Sequence, residues 1–154
     1  MTPNSRRIYQ KFRNSSLDPS AVGIVAGEES SYFAATPQNA LVIAWAESYG
    51  IHFCTIGEEN DTIYLVEPGA DGPDCVRPVA ASILEFFGLI VACKHISVLW
   101  QAQELNRAAF MEVLAAEKPG MKQRSVLRAI TNIYNPPVIS DPYSYMALVR
   151  DRHT

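Results

Sequence analysis

The stretch that decides the fold is residues 40–66, ALVIAWAESYGIHFCTIGEENDTIYLV. It contains three short apolar runs, Ala40–Ala46, Ile51–Ile56 and Thr62–Val66, which two polar segments separate. β-branched and aromatic residues in runs of this length, divided by turn residues, are typical of strands joined by hairpins. Gly50 can supply the positive φ that a tight hairpin turn needs. The stretch therefore predicts an antiparallel three-stranded meander.

Alternation of side chains along each run predicts the two faces of this sheet, because successive strand residues point to opposite sides. Both faces of the middle run are apolar, so the sheet is expected to be covered rather than half exposed. The expected sets are Leu41, Ile43 and Trp45 on one side of the first strand, Ile51 and Phe53 opposite His52, Cys54 and Ile56 in the second, and Ile63 and Leu65 opposite Tyr64 and Val66 in the third.

Two further strands and one helix are predicted outside the meander. Val76–Ala80 is expected to be an edge strand, because Pro78 lacks the amide that an interior strand requires. Ala21–Ala26 is a short apolar run that also fits an edge strand. Asn4–Asn14 has apolar side chains four residues apart, which predicts a short helix that docks on the domain.

The second half of the chain has helical patterns. Ser82-Ile83-Leu84-Glu85 has the residue types of a capping box, in which the Ser and Glu side chains each bind an amide at the helix start. The apolar residues that follow predict a buried helix that ends at about Lys94 or His95. Ser97 is expected to cap the next helix, and Asn106 to divide that helix in two.

Lys122–Tyr134 predicts one more amphipathic helix, and the tail 138–154 is expected to add a last helical turn. Strands come first and helices afterwards, which predicts an α+β fold in which an antiparallel or mixed β-meander is covered by helices. At 154 residues the chain has the size of a single domain. We expect its core at about 21–117, with 120–154 as a C-terminal helical extension.

The composition is that of an ordinary globular protein, with 48% hydrophobic and 19% charged residues. A net charge of −3 argues mildly against nucleic-acid or membrane binding, because both favour a basic surface. Met1–Asn14 lacks the apolar stretch of a signal peptide, and no apolar run reaches the ~18 residues of a membrane span. Three irregularly spaced cysteines, Cys54, Cys75 and Cys93, favour free thiols and hence a cytoplasmic protein.

His52 and Cys54 come closest to a catalytic or metal-binding pattern, because side chains two apart on a strand point to the same side. With Cys75 or His95 they could approach tetrahedral zinc ligation, but no second ligand pair with the usual spacing exists. A thiol-dependent enzyme that uses His52 with Cys54 is another alternative, although burial would raise the pKa of the thiol. Phosphate-binding loops and nucleophile elbows are absent from the sequence, so no catalytic residue, metal or cofactor is predicted.

Acidic residues cluster in the two segments that flank the third predicted strand. Glu58, Glu59 and Asp61 lie in the turn before it, and Glu67, Asp71 and Asp74 lie in the Pro- and Gly-rich segment after it. Such clusters usually mark solvated loop tips. The functional alternative is an acidic rim that binds Lys or Arg side chains of a partner.

Six segments in the first two thirds of the chain carry a resemblance to a known family. They are Tyr32–Pro37, Leu41–Ala46, Gly50–Ile56, Ile63–Pro68, Val76–Ala80 and Ile83–Ile90. Together they resemble the SUKH superfamily, which includes Smi/Knr-type cell-wall regulators and many bacterial immunity proteins. The resemblance implies a mixed sheet flanked by helices and a protein-binding role, often the neutralisation of a toxin domain such as a nuclease. It implies no catalytic residues.

The predicted function is therefore a non-catalytic protein-binding module, with a protein partner for which a toxin domain is one candidate. Tyr49 and Tyr64 are candidate aromatic anchors beside the acidic residues of the two loops. A self-associating structural subunit is a further alternative, because Trp45, Trp100 and the C-terminal aromatic residues would make an apolar patch.

Overall fold

The computed structural model describes residues 1–25 and 34–153. These residues form five strands and six α-helices, with short 3-10 turns at Pro19–Val22 and Gly72–Cys75. The strands are β1 (Ile24–Val25), β2 (Ala40–Ala46), β3 (His52–Ile56), β4 (Ile63–Val66) and β5 (Val76–Ala80). The helices are α1 (Pro3–Arg13), α2 (Ile83–Cys93), α3 (Ile96–Gln101), α4 (Arg107–Ala116), α5 (Met121–Tyr134) and α6 (Pro142–Asp151).

The five described strands form a sheet in the order β1-β2-β3-β4-β5, and each neighbouring pair is antiparallel. The predicted α+β fold is thus confirmed, with an antiparallel rather than a mixed sheet. Tyr49 and Gly50 both adopt positive φ between β2 and β3, and the Ile51 amide donates to the Ser48 carbonyl at 3.0 Å. Positive φ at both central residues matches the twist of a tight hairpin, as Gly50 predicted.

The two edge strands of the sheet agree with the sequence prediction in position, and one of them also in its bounds. β5 has the predicted bounds and lies at one edge of the sheet. An edge strand tolerates Pro78, which has no backbone amide to donate. β1 lies at the other edge and is shorter than the predicted strand Ala21–Ala26. The residues before it form a 3-10 turn, and Ala26 lies outside the described residues.

The hydrophobic core lies between one face of the sheet and the helices. Phe53 in β3 is fully buried, and its ring centroid is 5.1 Å from that of Phe86 on α2. Val126 of α5 and Met146 of α6 belong to the same buried cluster. The core therefore extends beyond the predicted range 21–117 and includes side chains of the C-terminal helices.

A bulge in β2 changes the faces expected for that strand. The register with β3 shifts between Val42 and Ala44, which leaves Ile43 as an extra residue. Leu41 and Ile43 pack on the same side of the sheet, as predicted, and this is the side that the helices cover. Trp45 packs on the opposite side. The prediction that all three share one side is wrong, because the extra residue reverses the alternation.

The helix starts confirm one predicted cap and correct another. The Ser82 hydroxyl accepts from the Glu85 amide at 3.2 Å, so Ser82 caps α2 as predicted. The Glu85 carboxylate accepts from the Ser82 hydroxyl at 3.3 Å rather than from the Ser82 amide that a full capping box would use. The cap of α3 is His95 rather than Ser97, because the His95 ring Nδ1 accepts from the Ser97 amide at 3.1 Å. Asn106 divides the next stretch as predicted, and its side chain caps α4.

The C-terminal tail contains more structure than the single turn expected from its sequence. α6 is 10 residues long, and the Asp141 carboxylate at its start accepts from the Ser144 amide at 3.0 Å. The helix packs along β5 and so covers one edge of the sheet. Among the helices described in residues 1–25 and 34–153, none is both long and apolar enough to cross a membrane.

Replacing Phe53 by Ala is expected to lower the free energy of unfolding by about 3–5 kcal/mol, because the lost ring leaves a cavity against Phe86. Urea unfolding followed by circular dichroism measures the change. Tyr49→Ala is the control, since its side chain is 89% exposed and the expected change is within about 0.5 kcal/mol. Equal effects of the two substitutions would contradict the central position assigned to Phe53.

Candidate functional site

The face of the sheet opposite the helices, called the second face below, is the principal candidate surface. Its buried centre consists of Ala40, Val42, Cys54 and Val66. Around that centre lie partly buried apolar side chains, namely Ala35, Trp45, Ile56, Tyr64 and Val76. Within the described part of the chain, each of the six helices packs into the cluster on the other face, and none contributes to this one.

His52 lies on the second face and is fully buried. Its Nδ1 donates to the Gly50 carbonyl at 2.8 Å, because a carbonyl can only accept, and its Nε2 accepts from the Thr36 hydroxyl at 3.1 Å. The ring packs on Trp45 with centroids 4.6 Å apart. Burial lowers the pKa of His52 and outweighs the bond to Gly50, which raises it. The ring is therefore neutral and has a structural hydrogen bond on each nitrogen.

Cys54 lies two residues further along the same face. Burial raises the pKa of its thiol to about 12, so the thiol is protonated at neutral pH and is a poor nucleophile. The two nitrogens of His52 bind Gly50 and Thr36 rather than the sulfur. The described residues also contain no group of three His, Cys, Asp or Glu side chains that could hold a metal ion. The arrangement offers no activation for a His52–Cys54 dyad.

The acidic residues predicted as one rim lie at opposite ends of the sheet. His52, Val66 and Val76 are neighbours across three strands, so the β2–β3 turn and the β4–β5 loop share one end. The β3–β4 turn lies at the other end, and a single rim is excluded. The first end carries Tyr49, Asp71 and Asp74, and the second carries Glu58, Glu59 and Asp61.

The two candidate tyrosines differ in their freedom to act as anchors. Tyr49 is 89% exposed at the tip of the β2–β3 turn. Tyr64 is half-buried, and its hydroxyl accepts from the Asn60 side chain at 3.1 Å. Its ring also meets the His153 ring edge-on, with centroids 6.2 Å apart. Tyr64 is thus part of the packed second face, whereas Tyr49 is available at its border.

Asp61 has a structural role that its sequence position does not reveal. Its carboxylate accepts from the Thr2 amide at 2.9 Å and from the Thr2 hydroxyl at 2.8 Å, and so binds the start of α1. Burial raises the pKa of Asp61, but the hydrogen bonds from Thr2 and Ser5 outweigh it and lower the pKa below its usual value. An Asp at a helix start also interacts favourably with the helix dipole. Asp61 therefore fixes α1 to the sheet.

A second polar cluster was not identified from the sequence. Arg77 on β5 lies beside Glu67 at the end of β4, with 3.5 Å between Nη2 and Oε2. The nearby Glu104 carboxyl group, from the connection between α3 and α4, and burial together raise the pKa of Glu67 to about 7. Arg77 pairs with Leu65 across β4 and β5, so both side chains lie on the helix side of the sheet. Glu104 is distant in sequence, and no local pattern indicates that it lies near Glu67.

The two tryptophans do not form one apolar patch. Trp45 packs with the second face, whereas Trp100 on α3 packs against the helix-side cluster. The sheet therefore lies between them, and the predicted patch that combines Trp45 with Trp100 is wrong.

Comparison with known proteins adds no relative, since no family model, curated protein or solved structure matches the chain. The similarity to the SUKH superfamily stays a prediction from the sequence.

Replacing Asp61 by Ala is expected to cost about 1.5–3 kcal/mol of stability at pH 7, the usual contribution of a hydrogen bond to a charged group. The pKa is lower in the folded than in the unfolded state, so this stabilisation is present above the usual pKa of 3.8. It disappears as the pH falls through the lower folded value. Urea unfolding at pH 7 and pH 3 measures both effects. Glu58→Ala, at an exposed position of the same turn, is the control, and an equal loss there would contradict the role of Asp61 in fixing the start of α1.

The thiols are expected to differ in reactivity toward an aromatic disulfide reagent at pH 8. With a pKa of about 12, the Cys54 and Cys93 thiols have about one part in ten thousand as thiolate. The half-buried Cys75 should therefore react first, and the other two only after unfolding. Peptide mapping of the labelled protein identifies the site. Rapid labelling of Cys54 in the native protein would revive the thiol-enzyme alternative.

Proposed function

We propose that this protein is a non-catalytic protein-binding module, similar in role to the immunity proteins and adaptors of the SUKH superfamily. The second face carries the proposal, because the apolar side chains around its buried centre are partly exposed and no described helix covers them. A cytoplasmic location belongs to the proposal, since Cys54, Cys75 and Cys93 are all free thiols, as is usual in a reducing compartment.

The composition of the second face suits the centre of a protein interface. Interface centres are depleted in charge and enriched in aromatic side chains. Trp45 and Tyr64 supply two partly buried aromatic rings, and Ile56 and Val76 supply aliphatic surface between the ends of the sheet. The strands hold these side chains on a rigid surface, so little conformational entropy is lost on binding.

Acidic groups border this apolar face at both ends. Glu47, Asp71 and Asp74 are exposed at one end, and Glu58 and Glu59 are exposed at the other. The five residues of β3 separate the two ends by about 17 Å, at roughly 3.3 Å per residue. A complementary partner would present an apolar centre with Lys or Arg residues on both sides. A nuclease toxin domain is such a partner, because it needs a basic surface to bind nucleic acid.

The same charge pattern disfavours pairing of two copies through this face. Both ends are acidic, so a symmetric pairing would bring like charges together whichever way the strands run, and such contacts are unfavourable. The proposed occupant is therefore a different, basic protein.

The test compares capture of basic proteins from a lysate of the source cells by the wild-type protein and by a variant with Ile56→Ser and Val76→Ser. The variant is expected to lose most of the binding, because two aliphatic contacts on the partly exposed border of the face are removed. The captured protein is then purified, and calorimetry is expected to show direct 1:1 binding that weakens as salt is added.

Ile133→Ser with Leu148→Ser is the matched control, because these aliphatic side chains are 46% and 49% exposed on α5 and α6. This pair is expected to bind like the wild type, and urea unfolding verifies that both variants are folded. Loss of binding in the control pair, with binding intact in the Ile56 and Val76 pair, would place the interface on the helices and refute the proposal.

A further inference from the structure

Four non-glycine residues in the described part of the chain have a left-handed backbone conformation, namely Asn39, Tyr49, Lys94 and Asn135. Asparagine tolerates positive φ, because its short polar side chain can hydrogen-bond locally. Lys94 has a structural reason for its position, since its Nζ donates to the Leu114 and Glu117 carbonyls at 3.4 Å each and so binds the end of α4. Neither explanation applies to Tyr49.

The β2–β3 turn imposes the conformation of Tyr49. The Ile51 amide donates to the Ser48 carbonyl at 3.0 Å, and the two residues between them have φ of 54° at Tyr49 and 71° at Gly50. A turn with positive φ at both central positions favours Asn, Asp or Gly there. A bulky residue at positive φ is an outlier and costs stability. Tyr49 is therefore a poor choice for the turn itself.

The side chain of Tyr49 does not compensate the folded domain for this strain. It is 89% exposed, and it has no hydrogen bond, ion pair or ring contact to another described residue. Strained backbone positions of this kind cluster at functional sites. An aromatic ring held in water on a strained backbone therefore indicates a contact with another molecule.

The hairpin below the turn holds Tyr49 at one end of the second face. Trp45 and His52 are paired across β2 and β3, and their rings pack with centroids 4.6 Å apart. His52 also donates to the carbonyl of Gly50, within the turn itself, at 2.8 Å. Since the platform is fixed, a partner that contacts the ring loses little conformational entropy.

The charge at this end of the second face selects the group that the ring would contact. Glu47 is exposed in the same turn, and Asp71 and Asp74 are exposed in the β4–β5 loop at the same end. The face of a Tyr ring attracts an ammonium or guanidinium group within about 6 Å of its centroid. A Lys or Arg side chain thus suits both the ring and the acidic groups around it.

We propose that Tyr49 is the principal anchor of the second face and that its ring packs against a Lys or Arg side chain of the partner. This inference rests on the proposed function, because the partner is the basic protein that the second face binds. It adds that the turn retains Tyr49 for binding, at a cost to the stability of the fold. One substitution should therefore raise stability and weaken binding at the same time.

Urea unfolding of the wild type, Tyr49→Asn, Tyr49→Phe and Tyr49→Leu tests the stability half of the proposal. The unfolding constant of Tyr49→Asn is expected to be about fivefold lower than that of the wild type, because Asn tolerates the left-handed conformation. Tyr49→Phe and Tyr49→Leu keep the strained Cβ and should match the wild type within about twofold. An Asn variant that unfolds as readily as the Phe variant would overturn the proposal.

Calorimetry of the same proteins with the purified basic protein from the lysate capture tests the binding half. Tyr49→Asn is expected to raise the Kd at least about thirtyfold, the loss typical of an interface hot spot. Tyr49→Phe keeps the ring and should bind within about threefold of the wild type, whereas Tyr49→Leu keeps apolar area without a ring face and should bind about tenfold more weakly.

The outcomes separate this inference from the proposed function. Wild-type affinity in Tyr49→Asn, or equal affinity of the Leu and Phe variants, would overturn the inference alone if binding still requires Ile56 and Val76. If no basic protein is captured, or if the Ile56 and Val76 pair binds it like the wild type, the proposed function fails and the role of Tyr49 fails with it.

Discussion

The contact between Phe53 on β3 and Phe86 on α2 is the interaction on which the rest of the structure depends. β3 is the central strand, and its alternation sends Phe53 toward the helices and His52 and Cys54 toward the second face. Burial of two aromatic rings in one contact stabilises the fold more than any exposed ion pair, since aromatic pairs add to their large hydrophobic area and surface charges add little. Once that contact fixes the side of the sheet that the helices cover, the identity of the second face follows.

The two faces of the sheet differ in what covers them. The helix side is closed by side chains from every described helix, whereas the second face combines a small buried centre with a half-buried apolar border. His52 and Cys54 belong to that second face, yet hydrogen bonds and burial make both of them structural groups. The proposed binding role uses the shape, the apolar area and the charged border of this surface.

Local sequence patterns predicted the elements well, because hairpins and caps depend on neighbouring residues. Gly50 indicated the β2–β3 turn, Ser82 the start of α2, and Pro78 an edge strand. Each of these residues acts on the backbone within a few positions of itself. The bulge at Ile43 was missed, since one inserted residue leaves the apolar character of the run unchanged. Asp61 was predicted to belong to a partner-binding surface, because its hydrogen-bond donor, Thr2, is 59 residues away in the sequence. Long-range polar contacts of this kind leave no periodic signal.

The most direct test of the central claim is a methyl NMR titration of the protein with the purified basic protein that the lysate experiment captures. If the second face binds the partner, the methyl signals of Ile56, Val66 and Val76 shift or broaden on binding. Those of Ile133 and Leu148 on the helix side stay in place. Perturbation confined to the methyl groups of α5 and α6, with Ile56 and Val76 unchanged, would contradict the assignment of the second face as the binding surface.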